Sequence, residues 1–472
     1  MNVKKAFLSK QEVEKIHSSA LEILGTIGVR IHSEKVRKLM EGAGAKVDHQ
    51  TGIARFSSSL IDEALGLAPR RVVYGARNPK YDLILEPGGE TYSRSVLGGE
   101  GYIDLETGKY RHVKISDVKD WAKLIDGLEH IGYYAGPYPA DVPLDAGGDV
   151  QIMRLVVENT EKHIGAYCGG KLREMVELAA AVMGGEEELR KRPLFSVYTN
   201  SLSPLQFEEF ATDVLLTLGK YGIPAELSSM AIAGGTAPVT LAGTVLTAHA
   251  EIIAGIVIAQ TANPGAPIVY RPAVVALDMS TGLGLEGTLE NALMAAAQAQ
   301  LAREAVGIPS CVVALITDSV LADGQSMIER VFNTALPAMA GASILSGAGY
   351  VENVYTCDPA QLVIDNEILG MTYRALRGFE VNDKTLGFDV LTRVGPGGDF
   401  LTDEHTLEHF RGDYFTPRSF NRKPRDEWVS EGRKDLYENA RDRAKTILRE
   451  HEASPLDADI VKELDAITKR SQ

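Results

Sequence analysis

The 472-residue chain has only three cysteines, Cys168, Cys311 and Cys357. They are scattered, odd in number and nowhere spaced as CxxC, which argues against a disulfide framework and predicts a reducing, cytoplasmic setting. No metal site is expected around them. Cys168 and His163 are an odd number of positions apart, and on a strand such a spacing turns two side chains to opposite faces. Basic residues are also scarce: 49 Lys and Arg against 64 Asp and Glu leave a net charge of −15. Nucleic acid, which needs a basic footprint, is disfavoured as a partner, and so is an anionic membrane surface. A clean membrane-length apolar run is missing. Residues 228–260 come nearest, but His249 and Glu251 interrupt them. The start, MNVKKAFLSKQEVEK, lacks the apolar stretch of a secretion signal. Nothing matches a Ser–His–Asp triad, a P-loop or an EF-hand, so no nucleophile of the protein's own is evident.

What the chain has is alternation. Apolar strands are expected at 92–97, 131–135, 163–168, 194–200, 225–230, 267–271, 310–317 and 343–347, with helices at 116–128, 148–159, 172–182, 204–221, 238–260, 289–306, 322–340 and 356–376. Eight β-then-α units predict an α/β fold, a (β/α)8 TIM barrel over 91–378. An open doubly wound sheet is the alternative. Residues 1–90 mix short helices and strands and read as an N-terminal α/β cap. Residues 379–472 lose the strands and read as a C-terminal helical extension, with helices at 381–394, 422–449 and 456–469. The stretch 228–260 reads as strand, glycine turn and buried helix. Thr236 is expected to cap that helix, with Pro238 in its first turn and the amides of GGTAP free for a ligand.

In a barrel the chemistry sits at the C-terminal ends of the strands. Tyr134, Tyr138, Tyr167, Tyr198, Tyr270, Tyr350 and Tyr355 gather there with Asn200, Arg271 and Gln325, although aromatics are only 7% of the chain. Each tyrosine alone is an ordinary core residue with its hydroxyl at a wet edge; together they predict an aromatic, polar cup. Such a cup suits a quaternary ammonium, which has no hydrogen to donate and is held by ring faces at roughly 0.5–2 kcal/mol each. Arg271, directly after the strand PIVY, is the candidate for a substrate carboxylate; a rim salt bridge, for instance to Asp278, is its ordinary alternative. GLGLEG (282–287) fits the dinucleotide pattern but does not directly follow the strand, and Glu286 would oppose a pyrophosphate. HTLEH (405–409) lacks the order of a zinc protease.

The segments TEKHIGAYCGG (160–170), LDMSTG (277–282), TDSVLADGQS (317–326), GAGYVEN (347–353), QLVIDNEILGM (361–371) and the run from Val381 to Arg411 occur in one order. With the 228–260 stretch they resemble the trimethylamine–corrinoid methyltransferase family; the first ninety residues match more loosely. The resemblance implies methyl transfer to Co(I) of a corrinoid (cobalamin) carried by a cognate corrinoid protein, with no cofactor tightly bound to this chain and a homo-oligomeric assembly. Gly234, Gly235, Thr236 and Gly397 are then the expected corrinoid-facing positions. Family members acting on trimethylamine carry pyrrolysine, and this sequence has only standard residues. The resemblance therefore implies a quaternary amine: glycine betaine first, then proline betaine, carnitine or γ-butyrobetaine. Asp278, Asp318 and Glu352 are candidates for electrostatic support of the cation. Two other classes remain: a non-catalytic betaine-binding barrel, and a lyase holding a divalent metal on those three carboxylates.

Overall fold

The structure, a computed structural model, describes residues 5–144 and 147–471. Parallel pairing runs without a break from Ile164–Ala166 through Phe195–Asn200 and Ala225–Ser229 to Ile268–Pro272. A single bridge, Tyr270 to Ser310, carries it to Cys311–Val313. That strand pairs with Ile344–Ala348, which pairs with Tyr92–Ser95. The bridges Arg94–Tyr133 and Tyr134–Ile164 close the ring through residues 133–134. Eight parallel segments thus form a closed barrel, numbered here first to eighth from Tyr92–Ser95 in chain order. The second is the shortest, because Pro137 and Pro139 follow it at once and cannot donate to a ladder.

Helices alternate with the strands and cover them. The most apolar, Leu241–Ala262, is long enough to cross a membrane but is mostly buried inside the protein. Lys10–Thr26 and Ser58–Leu67 pack against it, so part of the N-terminal segment is laid over the fifth and sixth units. A hairpin of Val72–Tyr74 and Leu83–Leu85 takes a different place. Its Val72, Tyr74, Leu83 and Leu85 join Tyr133, Val269, Cys311 and Ile344 in one buried cluster that closes the floor of the barrel. At the other terminus, Leu436–Glu450 packs on Pro359–Arg377, and Ala458–Ser471 on Leu172–Met183.

Several helix ends differ from the sequence expectation. The helix expected from 204 begins at Glu209, because Gln206–Phe207 pair with Arg30 and Ile31 as a short strand. The long helix begins at Leu241, capped by Thr240, whose hydroxyl accepts from Gly243 N at 3.3 Å. Thr236 instead accepts from Ile232 N within the preceding turn. The helix expected over 381–394 is split at Gly387, whose φ of 59° no continuing helix allows. The one expected over 422–449 is split between Ser430 and Leu436.

Candidate active site

Side chains alternate along each strand, so every second residue enters the barrel. Above the apolar floor the interior becomes polar. Glu226 of the fifth strand is buried, and its carboxylate accepts from Tyr133 Oη at 2.8 Å, Tyr74 Oη at 3.2 Å and Arg94 Nη2 at 3.1 Å. Arg271 Nε lies 3.2 Å from the same carboxylate. Burial opposes the charge on Glu226, but Arg94, Arg271 and the two phenols outweigh it and hold the carboxyl below its ordinary range. Beside it His163 stacks on Tyr74 at 4.1 Å, and burial lowers its pKa to about 4. The imidazole is therefore neutral, with Nδ1 facing the Gly75 carbonyl and Nε2 the Ser196 hydroxyl.

Two guanidinium groups share the Glu226 carboxylate here. Arg94 Nε and Nη1, Arg271 Nε and Ser346 Oγ are buried without a hydrogen-bond partner. Arg271 reaches highest. Its guanidinium carbon lies 5.2 Å from the centroid of Tyr198, and Nη1 is 3.3 Å from Ser228 Oγ. Tyr138 and Tyr167 meet edge to face at 5.4 Å nearby. Burial, then the neighbouring Tyr198 and Tyr134, push the Tyr167 phenol up.

The loops after the sixth, seventh and eighth strands are laced into a collar. Asp318 accepts from Glu286 N at 2.9 Å and Gly287 N at 3.1 Å. Glu329 accepts from Asp318 N at 3.0 Å and from the Thr317 hydroxyl. Glu352 N and Asn353 N donate to Ser319 O and Thr317 O, and Asn353 Nδ2 donates to Gly284 O. Below them Arg330 and Asp365 form a fully buried pair; Arg330 also binds the Leu315 and Tyr350 carbonyls, and Asp365 accepts from Gly349 N. Glu352, Asn353 and Val354 all have positive φ. For a β-branched residue such as Val354 that conformation is strained by about 1–3 kcal/mol, and the collar's hydrogen bonds hold it. Gly287 is wedged in the collar: an added Cβ would lie 2.6 Å from Glu329 Oε2 and 2.8 Å from Asp318 N.

Against this geometry the expected site residues separate. Arg271, Tyr198, Tyr167 and Tyr138 come together at the cup, and Asn200 shares the inward face of Tyr198. Tyr134 and Tyr350 are buried behind it, with Tyr350 Oη on the Gly98 carbonyl and its ring edge-on to Trp121. Tyr270 lies outside: it is the alternate residue to Arg271, and its hydroxyl meets His249 of the covering helix at 2.9 Å. Tyr355 is exposed, and Gln325 bonds Glu329 on an exposed turn. The three carboxylates do not converge. Asp278 is held by Ser280 and Thr281 in its own turn, Asp318 by two amides and Glu352 by the Thr356 hydroxyl. Among the described residues no group of three or more His, Cys, Asp or Glu is placed to hold a metal. The expected free amides at Gly234, Gly235 and Thr236 are a correction: all three donate within their own turn, to Ala237 or Ile232. Gly397 belongs to a segment tied back by Arg374 and Arg377 to the Asp413 and Gly412 carbonyls at the C-terminal end of helix Pro359–Arg377, away from the cup. Sequence reasoning missed Arg94, Tyr133 and Glu226. Arg94 in YSRS and Glu226 in AELSS carried a signal, since each is a charge inside a strand otherwise read as buried.

Comparison with known proteins now adds to the geometry. The family described as trimethylamine methyltransferase (MTTB) matches residues 3–472. The chain belongs to this family. The trimethylamine methyltransferase MttB of Methanosarcina barkeri (strain Fusaro) is 34% identical, covering 98% of this chain and 94% of that protein. The MttB of Desulfitobacterium hafniense (strain DCB-2) is 33% identical over 99% of the chain and 94% of its own. A glycine betaine methyltransferase of Desulfitobacterium hafniense (strain Y51) is 29% identical, covering 97% and 95%. The crystal structure of the Methanosarcina barkeri monomethylamine methyltransferase superposes with a TM-score of 0.56 at 14% identity, covering 95% of this chain and 89% of that one, which supports the barrel fold. The MTTB family consists of methyltransferases, and this chain is one of them.

Proposed function

We propose that the protein moves one N-methyl group from a quaternary amine, glycine betaine first, to the corrinoid of a separate cytoplasmic protein. The observation that carries this reading is Arg271. It stands beside the ring of Tyr198 with Nε towards Glu226 and Nη1 near the Ser228 hydroxyl, and its Nη2, which makes no hydrogen bond to a described group, is where a betaine carboxylate would bind. Tyr138 and Tyr167 offer rings for the ammonium end, whereas one face of Tyr198 is already occupied by Arg271. The corrinoid, when bound at the mouth, supplies a reduced cobalt nucleophile. The chain's own residues then bind, orient and desolvate the amine. A quaternary amine leaves in neutral form, so no general acid is required and kcat is expected to be flat with pH in the mid-range.

The alternative amine is trimethylamine, which the higher identity to trimethylamine methyltransferases favours. The absence of pyrrolysine from the sequence favours the quaternary amine. Incubation with reduced cobalamin and a panel of glycine betaine, proline betaine, carnitine, γ-butyrobetaine and trimethylamine separates the two, with methylcobalamin followed by absorbance. Trimethylamine turning over as well as every betaine overturns the substrate; no turnover of any amine favours a non-catalytic betaine-binding barrel.

Three apolar surfaces support the proposed partners. Met279, Leu283, Val320, Leu321 and Tyr355 are exposed on the loops around the cup, a setting for the corrinoid protein. Residues 379–414 expose Phe379, Val381, Phe388, Leu401 and Leu407, with only Val390 buried in their helices. This segment is tied to the opposite end of the barrel. The outer faces of Leu289–Leu301 and Gly324–Ala340 expose Leu289, Leu293, Ile328, Val331 and Phe332. Two unpaired apolar surfaces on one chain support a homo-oligomer in which a second copy covers both.

A further inference from the structure

Glu286 stands where the sequence pattern hinted at a nucleotide loop and the fold puts something else. Its backbone N–H is fixed by Asp318, and the next residue, Gly287, is wedged against Glu329 and Asp318. The side chain has no hydrogen bond to any described group, and its charged neighbours are Arg271 of the sixth strand and Asp318 of the seventh-strand loop, with Glu329 of helix Gly324–Ala340 behind Asp318. Both Asp318 oxygens already accept an amide, and Arg271 already faces Glu226. Glu286 is therefore a carboxylate of the sixth-strand loop within electrostatic reach of Arg271, which itself lies at the Tyr198 ring.

We propose that Glu286 supplies the counter-charge for the substrate's trimethylammonium group, opposite Arg271, and is the residue that makes the cup select a cation over a neutral molecule of the same shape. This rests on the quaternary-amine reading above. The arrangement offers two opposite charges, the Arg271 guanidinium beside Tyr198 for the carboxylate and Glu286 for the ammonium. Burial, with Asp318 adding to it and Arg271 opposing, raises the Glu286 pKa to about 7 in the empty cup. Only the ionised form attracts the ammonium, so affinity for a betaine should fall as pH drops below about 7, through KM and not kcat.

The test is calorimetric binding of glycine betaine, tetramethylammonium and 3,3-dimethylbutanoate, the uncharged-head isostere of glycine betaine, at pH 6 and pH 8. In the wild type, both cations should bind more tightly at pH 8, and the isostere should show no such gain. Glu286→Gln should weaken both cations by about tenfold or more while sparing the isostere, the size of effect expected from one close charge pair. Its cation binding should also lose the pH dependence. Glu286→Asp, which keeps the charge, should retain the preference for cations. A Glu286→Gln protein that keeps its preference for betaine over the isostere, or loses both equally, overturns the proposal. Tetramethylammonium binding that depends on Glu286, with no binding of betaine, supports Glu286 and overturns the betaine assignment. A wild type that binds none of the three overturns both.

Discussion

Glu226 binds the barrel's interior together from four elements. Removing its charge leaves Arg94 and Arg271 without their shared carboxylate in a dry interior, and breaking a buried pair this way costs about 3–5 kcal/mol. Glu226→Gln should lower stability by that order in urea denaturation at pH 7. The native carboxyl titrates below its ordinary value of 4.5. Its stabilisation is therefore fully present above that value and lost as pH falls through the lower folded one, so the gap between wild type and variant should close in acid. Arg271→Ala tests the other half of the site. It should reduce kcat/KM for a betaine by about a hundredfold, raising KM and misplacing the methyl, and affect tetramethylammonium far less. Equal losses for both ligands would make Arg271 a structural rim residue. Arg271 was legible because a charge directly after an apolar strand points to a barrel rim. Glu226 and Arg94 are 132 positions apart; each looked like an isolated charge in a strand, and only ring closure makes them a pair.

The collar is the element whose shape governs the cup. Three loops share hydrogen bonds through Asp318, Glu329 and Asn353, and the strained run 352–354 persists because those bonds over-determine it. Gly287→Ala should push the loop off Glu329 and Asp318 and shift Glu286 with it. A displacement of this kind costs roughly a hundredfold in kcat/KM. The thermal midpoint should move little, because the surrounding core is untouched. An activity unchanged within about twofold would show that the collar does not position the site. Elements as such were the most legible part of the sequence. The helix Gly148–Asn159 falls on its expected residues. Errors fell where tertiary pairing intervened. Gln206–Phe207 were claimed by the N-terminal strand Val29–Ile31, and Thr240 displaced Thr236 because the GGTAP turn satisfies its own amides.

At the scale of the whole molecule, the apolar arm and the apolar mouth should separate by mutation. Phe388→Asp with Leu401→Asp should convert the oligomer to a smaller species by light scattering while the chain stays folded. Met279→Asp with Leu321→Asp should leave the oligomer intact and weaken capture of the cognate corrinoid protein. Arm variants that leave the mass unchanged would remove the support for a second copy on that face. The hairpin Val72–Leu85 belongs to this scale as well. It lies in a segment read as a cap, yet its Tyr74 crosses the floor of the barrel to reach Glu226.

The sequence by itself determined the alternation of strands and helices, because hydrophobic periodicity is written locally and each unit buries its own stripe, while closure of the ring over an open sheet was decided by the pairing of distant strands. It also determined which ends of the strands carry chemistry and that Arg271 stands at one of them. Only the tertiary structure decided which charges share the interior, that Tyr270 faces a helix and not the cup, and that Glu286 comes within electrostatic reach of Arg271. Those facts depend on which face of a strand turns inward and on which distant loops meet when the ring closes. Pairings of that kind are set by three-dimensional packing between residues far apart in the chain, and no local pattern encodes them.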